Sequence, residues 1–125
     1  MFRKSSFIIF LLIIGQITVS VNARVVDQLF DEYGKVSWTV EKVHLTEFEG
    51  FLARNPEMIG YIIFNWSTKH ERVEMRRRVN RAKTYLLKRK RVDPSRLIII
   101  QGKKQTQPRT ILQPVKRGLP PPDFD

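Results

Sequence analysis

The sequence predicts an α+β fold: a two-layer βαβαββ sandwich with its helices on one face of a mixed sheet. Three observations lead there. Two helix-length stretches, Thr39–Arg54 and Lys69–Arg91, carry apolar residues at helical spacing. Two short β-branched runs, Ile59–Phe64 and Leu97–Ile100, flank the second helix and read as buried strands. The length of 125 residues, 42% apolar and 28% charged, holds one small domain.

Residues 1–23 read as a secretory signal peptide, with Arg3 and Lys4 ahead of the apolar run Phe7–Ile14. Val21-Asn22-Ala23 then supplies small residues at a cleavage site, so the mature chain is expected to begin at Arg24. The competing reading is a membrane anchor. It would require about 20 consecutive apolar residues, and the run breaks at Gly15-Gln16.

The domain is expected over 24–117. Val25, Val26, Leu29 and Phe30 suit either a short strand or a helical turn, and an edge strand is placed within Val26–Tyr33 before a turn at Tyr33-Gly34. Ser37 or Thr39 can cap the first helix. Leu45, Phe48, Phe51 and Leu52 share its inner face, with Val40 or Val43 extending it. Asn55-Pro56 ends it, because proline pushes the preceding residue out of the helical region. Ile59–Phe64 lacks polar alternation and is expected at the sheet centre. In Lys69–Arg91 the stripe Met75, Val79, Ala82, Leu86 is narrow and its surroundings are basic.

Asp93-Pro94 starts a turn, and Leu97–Ile100 is expected as a second buried strand with Ile98 and Ile99 in the core. Arg109–Val115 reads as a last strand that Pro114 confines to an edge. Residues 118–125, with Pro120-Pro121-Pro122, form a tail of polyproline character.

Composition removes several chemistries. The chain has no cysteine, which excludes disulfides, thiolate metal sites and thiol catalysis. His44 and His70 stand in no ligand spacing and are read as surface residues. No nucleophile, base and orienting group fall in a recognisable pattern and no Gly-rich phosphate loop is present, so an enzyme is disfavoured and no cofactor is expected. Asn65-Trp66-Ser67 matches a glycosylation sequon and is treated as chance.

The net charge of +11 is concentrated: Lys69–Arg91 holds eleven Lys or Arg against Glu71 and Glu74. Such a helix is either a solvated face or a surface for an anionic partner.

The stretch Gly60–Gly102 resembles the OmpA-like C-terminal domain of bacterial envelope proteins. The resemblance rests on the apolar strand, on Arg81-Ala82 followed by Tyr85-Leu86, and on the turn Val92-Asp93-Pro94-Ser95-Arg96-Leu97. It implies the βαβαββ layout and a peptidoglycan-binding role in which an Asp after the central strand and an Arg on the next helix hold diaminopimelate. Arg81 stands at the Arg position. No acid stands at Ser67-Thr68, where the Asp would fall, and Arg77-Arg78 replace the family's Leu-Ser. Arg91 takes the place of a helix-ending glycine, which predicts a left-handed cap costing about 1 kcal/mol.

These features predict a non-enzymatic, secreted or periplasmic binding module contacting cell wall or another anionic envelope polymer. The expected binding residues are Arg81, Arg77, Arg78, Arg76 and Lys83. In the bland alternative, Arg81 pairs with Glu74 or Glu71 and serves structure alone. A second class is a cationic protein meeting a membrane surface or nucleic acid through residues 69–91, or a membrane through an uncleaved N-terminal segment. Nucleic acid is disfavoured, since only Trp66 and Tyr85 offer aromatic surface beside the charge. Arg77 and Arg78 lie off the apolar stripe, so reversing both charges is expected to leave the fold intact.

Overall fold

The described residues of the computed structural model run from Leu29 to Asp123. The expected signal peptide and the first part of the Val26–Tyr33 segment lie outside them. Six elements follow one another: β1 (Asp31–Tyr33), α1 (Trp38–Arg54), β2 (Met58–Trp66), α2 (Lys69–Thr84), β3 (Leu97–Lys104) and β4 (Arg109–Lys116). The order is the expected βαβαββ. The four strands form one mixed sheet ordered β1-β4-β2-β3, with β2 and β3 parallel and β4 antiparallel to both β1 and β2.

Ser37 starts α1 by accepting the Val40 amide on its hydroxyl, and Asn55 ends it ahead of Pro56. Its buried positions are Glu41, Leu45, Phe48 and Leu52, one continuous helical stripe. Val40 and Val43 do not extend that stripe; both are exposed. The helix lies so close to the sheet that a Cβ on Gly60 of β2 would sit 2.7 Å from Leu52 Cδ1 and 2.9 Å from Phe48 Cε2. Any larger residue there would have to push the Leu52 and Phe48 side chains aside.

Thr68 and Glu71 start α2 with a reciprocal capping box. Met75 and Ala82, with Leu86 beyond them, are buried against Ile62, Phe64 and Leu112, and Val79 packs partly buried beside them, as the stripe predicted. The helix widens into a π turn over Tyr85–Arg89 and closes at Arg91, whose φ of 57° is the left-handed cap expected where a glycine is absent.

The sheet corrects two expectations. Leu97–Ile100 is not a doubly covered strand: β3 is an edge, only Leu97 and Ile99 face the helices, and Ile98 is 38% exposed. Conversely β4 is internal despite Pro114. The register explains why. Leu112 turns its backbone groups toward β1, where its carbonyl accepts the Phe30 amide, and Pro114 two residues on faces the same way. The β1 strand starts only at Asp31, paired with Leu112. Proline's missing N–H therefore points past the end of the neighbour and costs no ladder bond.

Two small devices finish the frame. Arg96, closing a 3₁₀ turn over Pro94–Arg96, donates to the carbonyls of Leu52, Asn55 and Met58. At the other end of β3 the pairing with β2 shifts register, and the Asn65 side chain accepts the Lys103 amide. A Cβ on Gly102 would fall 1.9 Å from Asn65 Oδ1, so glycine is required at that irregularity. Beyond β4 the chain turns at Gly118 (φ 93°) into residues without regular secondary structure.

Candidate functional site

The chemistry of the molecule is gathered around one buried carboxylate. Glu41 is 1% exposed and continues the apolar stripe of α1 one turn above Leu45. Three groups from two elements meet it. The Tyr33 hydroxyl donates to Oε2 at 3.0 Å, Arg78 Nη2 to Oε2 at 3.1 Å, and Arg81 Nη2 to Oε1 at 3.3 Å. Arg78 also donates to Thr110 Oγ1 at 3.0 Å and stacks over Phe64; Arg81 lies over the Trp38 ring, 4.4 Å from its centroid. Burial, then the neighbouring Glu41 charge, raises the Tyr33 hydroxyl well above the ordinary phenol range, so it remains a donor at any physiological pH.

This cluster divides the five arginines and lysines that the sequence singled out. Arg78 and Arg81 point inward and are held by Glu41, whereas the expected structural partners of Arg81 were Glu71 and Glu74. Arg76, Arg77 and Lys83 are exposed and make no ion pair among the described residues, nor do Lys69 and Arg72 on the same helix. The expectation that Arg78, lying off the apolar stripe, could be reversed without disturbing the fold does not hold: it is a structural ligand of the buried Glu41. The missed signal was Glu41 itself. Its spacing of four to Leu45, seven to Phe48 and eleven to Leu52 marks an inward position, and a carboxylate there requires a cation from elsewhere.

Two depressions flank the cluster. One, of about 180 Å³, is lined by Lys35, Glu71, Glu74, Arg77, Arg78 and Arg81, a mixture of both signs. Glu71 is its acid. Oε1 accepts the Ser67 and Thr68 amides at 3.0 and 2.8 Å and the Ser67 hydroxyl at 2.5 Å. Those bonds, the Ser67 hydroxyl foremost, lower its pKa to about 2. The sequence has no acid at Ser67-Thr68, but the capping box folds one onto that place in space. The other depression is a groove of about 880 Å³ between α1 and the end of α2, where Trp38 and Tyr85 meet edge to face at 5.6 Å.

Neither histidine joins these sites. His44 is half-buried, not on the surface as expected: Nδ1 lies 2.5 Å from Asp31 Oδ2 and the ring stacks on Tyr33. His70 is exposed and pairs with Glu74 one helical turn away. Among the described residues no group of His, Asp and Glu gathers to hold a metal ion, and no helix is long and apolar enough to cross a membrane. No family model, curated protein or solved structure matches the chain.

Proposed function

We propose that this chain is a non-enzymatic binding module of the cell envelope, secreted or periplasmic, that contacts an anionic polymer through the outer face of α2. One observation carries the reading: Lys69, Arg72, Arg76, Arg77 and Lys83 stand exposed without an ion pair among the described residues, although acids are available elsewhere in the fold. A row of unpaired cations on one rigid helix raises the local concentration of polyanions and is screened by salt. The OmpA-like resemblance of Gly60–Gly102 makes cell wall the leading polymer, and the βαβαββ order agrees with that resemblance.

A second reading has its own support. The recess lined by Glu71, Glu74 and Arg77 offers a carboxylate and a guanidinium together, which suits a ligand group bearing both an ammonium and a carboxylate, as in peptidoglycan stems. The diffuse reading is preferred because the Glu71 oxygen that faces the helix start is already occupied by four donors.

Co-sedimentation of the chain with purified sacculi at low and high salt tests both. On the diffuse reading, Arg76→Glu with Arg77→Glu abolishes binding at unchanged thermal midpoint, Glu71→Gln leaves it intact, and raised salt removes it. Binding untouched by the arginine reversals overturns the proposal. Binding that survives salt but is lost in a folded Glu71→Gln variant moves the site into the recess.

A further inference from the structure

Two features meet along β3, and the polymer reading does not use the strand. The first is its free edge. Among the described residues β3 pairs with β2 alone, so alternate residues of β3 direct their amide and carbonyl groups away from the sheet. Devices that blunt such an edge gather at its far end, where Gly102 sits at the irregular register and Lys103 and Lys104 stand exposed. Leu97–Gln101 carries none of them: it has no proline, no charge and no register shift. The second feature is a basic groove of about 640 Å³ between α2 and that edge, lined by Lys69, His70, Arg72, Val73, Arg76 and Gln101. His70 is engaged by Glu74, which leaves Lys69, Arg72 and Arg76 as the groove's cations without an ion pair among the described residues. The Arg72 guanidinium lies over the Trp66 ring, 5.4 Å from its centroid, and Val73 is 78% exposed. Among the described residues no carboxylate lines the groove.

The pleat sorts these features onto two sides of the strand. Ile99, packed against the helix core, and Gln101, two residues on, face α2; Ile98, 38% exposed, and Ile100 face the other way. A strand added to this edge turns every second side chain toward Lys69, Arg72 and Arg76, and the others toward Ile98 and Ile100. We infer that the β3 edge receives an extended segment of a partner protein in which acidic residues alternate with apolar ones. Backbone pairing along Leu97–Gln101 supplies the contact, and the alternation supplies the selectivity. A second copy of this chain does not suit the edge. Two β3 strands paired about a twofold axis set both basic α2 flanks on one side of the joined sheet, and like charge opposes that contact.

The probe is a short fluorescein-labelled peptide alternating glutamate and valine, mixed with the full chain. It binds by anisotropy, and alternate amides within Leu97–Gln101 gain hydrogen-exchange protection in the complex. Arg72→Glu with Arg76→Glu, its fold checked by circular dichroism, weakens binding by about tenfold or more. Two further peptides carry the same charge, one N-methylated at every glutamate and one at every valine. Only one set of amides faces β3, so one of these peptides loses binding and the other keeps it. Equal binding by the two, a bound peptide that leaves β3 unprotected, or no binding of the parent peptide overturns the inference. The inference shares Lys69, Arg72 and Arg76 with the polymer reading but not its ligand. The methylated pair and the β3 amides read backbone pairing rather than charge, so their failure leaves the polymer proposal standing. Sacculi left unbound by the chain would in turn leave the peptide results unchanged.

Discussion

The two sides of α2 use the same residue type for opposite ends. Facing inward, Arg78 and Arg81 are drawn onto Glu41 and lose much of their contact with water; facing outward, Arg76 and Arg77 keep theirs. They are neighbours in sequence, so local composition does not separate them. The separation comes from α1, a different element, which places one carboxylate where only two of the helix's cations can reach. A basic helix is therefore not one surface but two, and the buried acid decides how much of its charge is left for a partner.

The comparison can be broken hardest at Glu41. Glu41→Ala leaves Arg78 and Arg81 half-buried without their anion. Removing one partner of a buried ion pair typically costs about 3–5 kcal/mol, so urea denaturation should register a loss of that order. A loss under about 1 kcal/mol would mean that the cluster is only a solvated surface contact. Next in size is Arg78→Ala, which removes charge-assisted bonds to Glu41 and Thr110. It should cost about 1.5–3 kcal/mol, against no more than about 0.5 kcal/mol for Arg77→Ala. Equal costs for the two would erase the distinction between the faces.

The end of the same helix gives a smaller, opposite effect. Arg91→Gly relieves the left-handed backbone at φ 57° and should stabilise by about 1 kcal/mol in thermal melts. Destabilisation would instead indicate that the Arg91 side chain holds the turn. The smallest effect belongs to Glu71, whose pKa falls to about 2 in the folded chain. Its contribution is present above the ordinary carboxylate range near 4.5 and fades as pH drops from there toward about 2. Glu71→Gln should lower the neutral-pH melts modestly, flatten that part of the acid limb and meet wild type near pH 2; an unchanged limb would remove Glu71 from the cap.

The helices and the central strand were legible because each carries its own periodic signal. Met75, Val79, Ala82 and Leu86 mark one face, and the unalternated Ile59–Phe64 run marks a covered strand. The swap of β3 and β4 was not legible in the same way. Leu97–Ile100 is apolar enough for a centre strand, and Pro114 argues for an edge, yet position in a sheet depends on which neighbour is long enough to reach. The three residues of β1 settle that for Pro114, and nothing near Pro114 in sequence announces it. The candidate site was half legible. Its cations were visible as a charge run, but their division depended on Glu41, 37 residues before Arg78, and the acid near Ser67-Thr68 is delivered by a capping geometry that spacing alone conceals.

Arg96 has a consequence for how the domain opens. Its guanidinium bridges the carbonyls of Leu52, Asn55 and Met58, so the last turn of α1, the start of β2 and the head of β3 share one clasp. None of those three can fray alone without leaving the guanidinium short of acceptors. Native-state hydrogen exchange should therefore find the Asn55 and Met58 amides, which bond Leu52 and Asn55, opening together as a single unit, and Arg96→Lys should let them exchange independently.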